Sequence, residues 1–176
     1  MHTRRWIPEA GPGIEHLVLR RDGEAIVAEG AIVGDRFGAF YSIRCDALWR
    51  VRHAVIEVAG NGRIELSADG AGAWQDGEGA PIPALAGCID IDLTASCFTN
   101  TLPIRRLGAA LAARQAIDVA YVRIPELSVE TARQAYTRLG ANAYRFESIG
   151  TDFRADLQVD DDGLVVRYPG LFRRTD

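Results

Sequence analysis

The sequence predicts a mostly β domain, a barrel or sandwich of antiparallel strands with one short helix, on three observations. Apolar and polar residues alternate with period two over much of the chain. Tight-turn sequences, Arg21-Asp22-Gly23 and Asp161-Asp162-Gly163, join alternating runs. Helical spacing of apolar residues is plain in one place, about 101–114. A domain built this way must dispose of its strand edges by closing the sheet or covering one end. The helix is the piece available to cover an opening.

The elements follow in order. Residues 16–34 are two apolar runs around Arg21-Asp22-Gly23, where the Asp-Gly pair supplies the positive φ of a hairpin turn. In 39–45, Tyr41, Ile43 and Cys45 oppose Phe40, Ser42 and Arg44. In 50–58, Val51, His53, Val55 and Glu57 oppose Arg52, Ala54, Ile56 and Val58. A Gly60-Asn61-Gly62 turn leads into 63–70, where Ile64 and Leu66 share a face. Residues 71–87, rich in Gly and Pro around Trp74, read as a flexible connection. The helix has Leu102, Leu107, Ala110 and Leu111 near helical spacing, Pro103 in its first turn, and Thr99 or Asn100 as its cap. Strands are expected at 116–125 and 143–148, and a hairpin at 153–170 with Phe153, Ala155, Leu157 and Val159 on one face. Residues 128–139 fit either a helix capped by Ser128 or a strand, and their strand neighbours favour strand.

At 176 residues the chain forms a single domain, 1–176, large enough to bury a core. Its net charge of −4 argues against a nucleic-acid scaffold. All 20 basic side chains are arginine, which excludes a Schiff-base lysine and a P-loop lysine. Cys45, Cys88 and Cys97 lack CxxC spacing and read as reduced thiols. His2, His16 and His53 show no ligand spacing with them, so no metal site and no cofactor are expected. There is no secretory signal pattern and no apolar run of the roughly 20 residues that span a bilayer, so a cytoplasmic location is expected.

Chemistry concentrates in 87-GCIDIDLTASCFTNTLPIRRL-107. Period two puts Asp90 and Asp92 on one face, about 7 Å apart, opposite Ile89, Ile91 and Leu93. Such a pair can act as general acid and base. It can equally be a solvent-wetted face or meet arginines of a neighbouring element. Arg105 and Arg106 point about 100° apart on a helix and cannot form one clamp. Either suits an anionic group or an internal carboxylate. Ser96 lacks the G-x-S-x-G turn of a nucleophile elbow. Trp74 can stack on a sugar ring or close over the core.

The same run resembles the signature of the putative glycolipid-binding family, formerly a domain of unknown function. So do 41-YSIRCDALWRVR-52, the Gly72-x-Trp74 element, 119-VAYVRIPELSV-129, 134-QAYTRL-139, 144-YRFES-148 and 160-DDDGLVVRYPGLFRR-174. The chain departs from that pattern in Ala95-Ser96-Cys97, where Thr-Pro is expected, which bears on the local loop shape. The resemblance implies a spiralled, largely antiparallel β-barrel or half-barrel, similar to bacterial lipoprotein carriers (LolA-like), with an apolar cavity under the helix. It implies a lipid or glycolipid partner, whose acyl chain enters that cavity. The candidate ligand-binding residues are Trp74, Asp90, Asp92, Asn100, Arg105, Arg106, Tyr121 and Tyr136. Two alternatives stand beside this: an enzyme acting on a sugar or nucleotide through Asp90 and Asp92, and a ligand-free β-rich interaction module, with a homodimer as one form of it.

Overall fold

The computed structural model describes residues 1–175. Among these, fourteen strands form one sheet. The first half is a meander: β1 (His2–Pro8), β2 (Ile14–Asp22), β3 (Ala25–Val33), β4 (Gly38–Cys45), β5 (Val51–Val58), β6 (Gly62–Ala68) and β7 (Trp74–Asp76). The second half holds β8 (Asp90–Leu93), β9 (Gln115–Val122), β10 (Val129–Gly140), β11 (Ala143–Ser148), β12 (Arg154–Val159), β13 (Val165–Tyr168) and β14 (Phe172–Arg174). Both ends of the chain meet mid-sheet, where β1 pairs β14 with Trp6 opposite Arg174. The sheet order is therefore β7-β6-β5-β4-β3-β2-β1-β14-β13-β12-β11-β10-β9-β8. It is an open, half-barrel arrangement rather than a closed barrel, with its two shortest-reaching ends at β7 and β8. Short edge strands offer little backbone for unwanted pairing. The ends are tied without a ladder: the Gly87 amide donates to the Gly72 carbonyl at 2.9 Å, and the Trp74 indole to the Cys88 carbonyl at 2.7 Å.

Every pairing is antiparallel except β8 with β9. A parallel pair needs a crossover, and the helical stretch supplies it: a 3-10 turn over Phe98–Asn100, α1 (Thr101–Leu107), and a second 3-10 turn over Gly108–Ala112. Gly108, at φ +49, ends the α-helical part. The expected helix is thus present but starts earlier, and only its first half is α. Neither Thr99 nor Asn100 caps it. No side-chain cap bond forms, because the Thr99 hydroxyl donates to Asp92, the Asn100 amide donates to the Cys97 carbonyl, and Asn100 Oδ1 accepts the Tyr136 hydroxyl.

Residues 129–140 are strand, as their neighbours favoured. The 71–87 connection is more ordered than its Gly content suggests, because it contains β7, paired to β6 through Trp74 and Ala68. β1 and β14 were not evident in the sequence. In β5, Val51 is buried along with Ala54, Ile56 and Val58. The alternation slips there because the register shifts between Arg44 and Cys45, so Cys45 opposes Val51 while Arg44 opposes His53.

The curl of the sheet is filled by protein. Phe98, Leu102, Ile104 and Leu111 from the helical stretch join Trp6, Leu17, Tyr41, Ile43 and Ile56 from the sheet in one buried cluster. Phe98 stacks on Tyr41 with ring centroids 6.3 Å apart. The Trp6 indole donates to the Val165 carbonyl at 2.7 Å, pinning β1 over β13. All three cysteines are buried and free.

Candidate functional site

A half-open cleft of about 680 Å³ lies between β8, the start of the helical stretch, and residues of β9, β10, β11, β13 and β14. One side is polar. Asp92 reaches it from β8, Gln134 from β10, and Asn100 and Ser96 from the loop and turn after β8. The opposite side is aromatic, with Phe146, Phe153, Tyr168 and Phe172. Phe146 makes edge contacts with Phe153 and Tyr168 at 6.0 Å each, and Tyr168 meets Phe172 at 6.5 Å, so the wall is one packed series of rings.

Alternation fixes why these groups converge. Asp92 pairs in register with Tyr121, and Tyr121 with Glu130, so side chains two residues further along β10, then Gln134 and Tyr136, share that face. Tyr136 in turn opposes Phe146 on β11, which carries the face into the aromatic wall.

The two aspartates of the D-x-D run share a face but have different surroundings: Asp90 is buried, Asp92 half-buried at the cleft. Asp90 is fully buried and held by Arg106 through both carboxylate oxygens, at 3.0 Å to Nε and 2.5 Å to Nη2. The guanidinium offsets the cost of burying the charge, and the pair is closed off from the cleft. Asp92 has no positive partner. Its carboxylate accepts the Thr99 hydroxyl at 2.7 Å and the Gln134 amide at 2.6 Å. Burial pushes its pKa up against those two donors, and the charge of Asp90 adds to the rise. An uncompensated carboxylate at a cleft wall is an unusual and costly placement.

Beneath Asn100, the buried Tyr136 hydroxyl donates to Asn100 Oδ1 at 3.0 Å, which aims the asparagine. At the rim, Arg123 is occupied by Glu130 at 2.6 Å and lies over the Tyr121 ring at 5.3 Å.

Of the residues expected from the sequence, Asp92, Asn100 and Tyr121 line the cleft, and Tyr136 supports it from below. Asp90 and Arg106 are spent on each other. Arg105 lies elsewhere, stacked over the Trp49 ring at 5.3 Å beside a separate recess with Arg21. Trp74 is buried with its indole on the Cys88 carbonyl and does not reach the cleft.

Four groups were missed. Gln134 lies in the 128–139 segment and was given no role in a site. The aromatic wall comes from segments far apart in the chain and has no local signature. Ser96 was read as an unsupported nucleophile, whereas its hydroxyl donates to Glu15 at 2.6 Å. Glu15 itself is buried on β2 and accepts the Tyr41 hydroxyl on the same oxygen at 2.6 Å. Burial pushes the Glu15 carboxyl up to about 7, with Ser96, Tyr41 and the Cys97 amide opposing. A signal existed: in Ile14–Asp22 the period of two puts Glu15 on the face of Leu17 and Leu19.

Among the described residues, no group of three or more His, Cys, Asp or Glu is placed to hold a metal ion. None of the helices there is long and apolar enough to cross a membrane.

The sequence matches the model of the family described as putative glycolipid-binding over residues 3–174. Among solved structures it is similar to a crystal structure of a DUF1089 family protein from Pseudomonas aeruginosa, at 42% identity and a TM-score of 0.83, covering 95% of this chain and 94% of that one. No curated protein matches.

Proposed function

The chain belongs to the putative glycolipid-binding family, and from that premise we propose that the cleft between β8 and the aromatic wall is where a glycolipid is held. One observation carries this reading: the cleft sets a counterion-free carboxylate and two carboxamides across from four aromatic rings. Sugars present hydroxyls on their edges and apolar C–H groups on their faces. Asp92, Gln134 and Asn100 supply acceptors and donors to the edges, and the rings supply a stacking surface to a face. Phe98, Leu102 and Ile104 of the helical stretch pack into the buried cluster, so the acyl chain is placed outside the core. The open side of the cleft, bordered by the partly exposed Phe153 and Leu171, is the apolar surface it meets first.

The test is a titration with n-octyl β-glucoside below its micelle concentration, followed by amide NMR. Saturable shifts are expected at the side-chain amides of Gln134 and Asn100. Asp92→Asn keeps the shape of the side chain and removes its charge, which weakens binding by about tenfold, the scale of one hydrogen bond to a charged acceptor. Absence of saturable shifts at these amides would refute the assignment. The acid/base alternative has no comparable support, because the Asp90 carboxylate is enclosed by Arg106.

A further inference from the structure

A second recess of about 360 Å³ adjoins the cleft. Trp6, Ile14, Ile32, Phe37, Ile124 and Phe172 line it. The two recesses share Thr94 and Phe172 as a common boundary. They are also joined below that boundary, because Ser96 of the cleft donates to Glu15, which lines the second groove.

The surface marks the same path. Large apolar side chains that stay exposed include Ile14 at 40% and Val33 at 58% on the groove, and Phe153 at 40% and Leu171 at 38% on the cleft. Ile14 and Val33 are cross-strand partners at the open end of the β2–β3 pair. Among the described residues, half of the large apolar side chains left exposed thus border these two adjoining recesses, and such a concentration marks a binding surface rather than random exposure.

Charge narrows the chemistry. The groove has no basic side chain, and its ionisable residues are Glu15 and Asp35. In the cleft, Arg123 is engaged by Glu130, and Arg133 lies 3.9 Å from Asp118. Asp92 has neutral partners only. Among the described residues, the two arginines lining the cleft each have a carboxylate partner, at 2.6 Å and 3.9 Å, and none lines the groove, an arrangement that favours a neutral ligand over a phosphate or a carboxylate.

We propose that cleft and groove are two arms of one site for an electrically neutral, single-chain amphiphile, with the hydroxyl-bearing head in the cleft beside Asp92 and the alkyl chain crossing Thr94 into the groove beside Trp6. This rests on the reading of the cleft given above and goes beyond it in two respects. It places the chain in a defined groove, and it excludes free fatty acids and phosphate-headed lipids from the site.

The experiment is a calorimetric series with hexyl, octyl and decyl β-glucoside, all below their micelle concentrations, with decanoate as the anionic control. Affinity is expected to rise about two- to fourfold per methylene, as burial of alkyl surface requires, and decanoate to bind far more weakly than decyl glucoside. Ala95→Trp, which fills the groove, flattens the series. Should that variant fold poorly, Val33→Glu sets a charge at the mouth from an exposed position and flattens it too. If glucosides bind but the series is flat in the natural chain, or if decanoate matches decyl glucoside, the two-armed site is overturned while the cleft reading survives. If no glucoside binds, the cleft reading falls and this inference with it.

Discussion

Replacing Glu15 by glutamine tests whether the loop between β8 and the helical stretch is held by an uncharged carboxyl. Glu15 lies on β2, 2% exposed, with the Tyr41 and Ser96 hydroxyls donating to one oxygen at 2.6 Å each. Its other oxygen has no hydrogen-bond partner. Tyr41 on β4, Ser96 and Cys97 face it, and no positive side chain contributes to its titration. Burial therefore dominates and raises its pKa from 4.5 to about 7.

The sign follows from linkage. Below about pH 4.5 the carboxyl is neutral in folded and unfolded chains alike, and folding is not penalised. As pH rises, the unfolded chain ionises first, so stability falls until the folded carboxyl ionises near pH 7 and then levels. At about 1.36 kcal/mol per pH unit the penalty is about 1 kcal/mol at pH 5 and about 3 kcal/mol at pH 8. Glutamine keeps an acceptor for both hydroxyls and has no charge to lose. Glu15→Gln is thus expected to be more stable than the natural chain by about 3 kcal/mol at pH 8 and by about 1 kcal/mol at pH 5. Urea unfolding followed by tryptophan fluorescence reads this directly, as a midpoint raised by about 1 M or more at pH 8. An advantage that does not change with pH, or a variant less stable at pH 8, would mean that Glu15 is ionised in the fold and would refute the reasoning.

Arg106→Met leaves Asp90 buried without its partner and is expected to cost about 3–5 kcal/mol, read as a lowered thermal midpoint. Adding Asp90→Leu removes the stranded charge and recovers most of that loss, and failure to recover it would show that the pair does more than neutralise. Gly30→Ala places a methyl carbon 2.2 Å from the Tyr41 ring, which is itself packed on Phe98, so the ring has to move. A cost of about 1–3 kcal/mol is expected in chemical unfolding, with a change in near-UV circular dichroism as the Tyr41–Phe98 stack opens.

The parts of the fold legible in the sequence were those set by neighbours along the chain. The hairpins at Arg21-Asp22-Gly23 and Asp161-Asp162-Gly163 are local in both sequence and space, and both β2–β3 and β12–β13 form. The β1–β14 pair joins opposite ends of the chain and has only three register partners. Nothing near His2–Pro8 or Phe172–Arg174 announces the other. Likewise, alternation assigned Asp90 and Asp92 to one face but could not say what covers it. The helical stretch does, bringing Arg106 to one aspartate and Thr99 to the other. Asn100 and Thr99 looked like caps because their local sequence is that of caps. Their side chains go instead to Asp92, the Cys97 carbonyl and Tyr136, bonds that outcompete the capping ones.

The distribution of arginines links the fold to the site. Asp90 and Asp92 are two residues apart on one short strand, yet only Asp90 receives a guanidinium. Of the arginines lining the cleft, Arg123 pairs with Glu130 at 2.6 Å and Arg133 lies 3.9 Å from Asp118. Asp92 and Glu15 are left among hydroxyls and amides, at the polar side of the cleft and at the wall of the groove beside it. A fold optimised for stability alone would pair or replace both, because a buried or half-buried carboxylate without a countercharge works against folding. Of the two, Glu15 is tied to Tyr41 and Ser96 inside the fold, whereas Asp92 lines the cleft with only hydroxyl and amide donors on it, placed as an acceptor for the head group proposed above. That placement suits a neutral hydroxylated head group and runs against an anionic one.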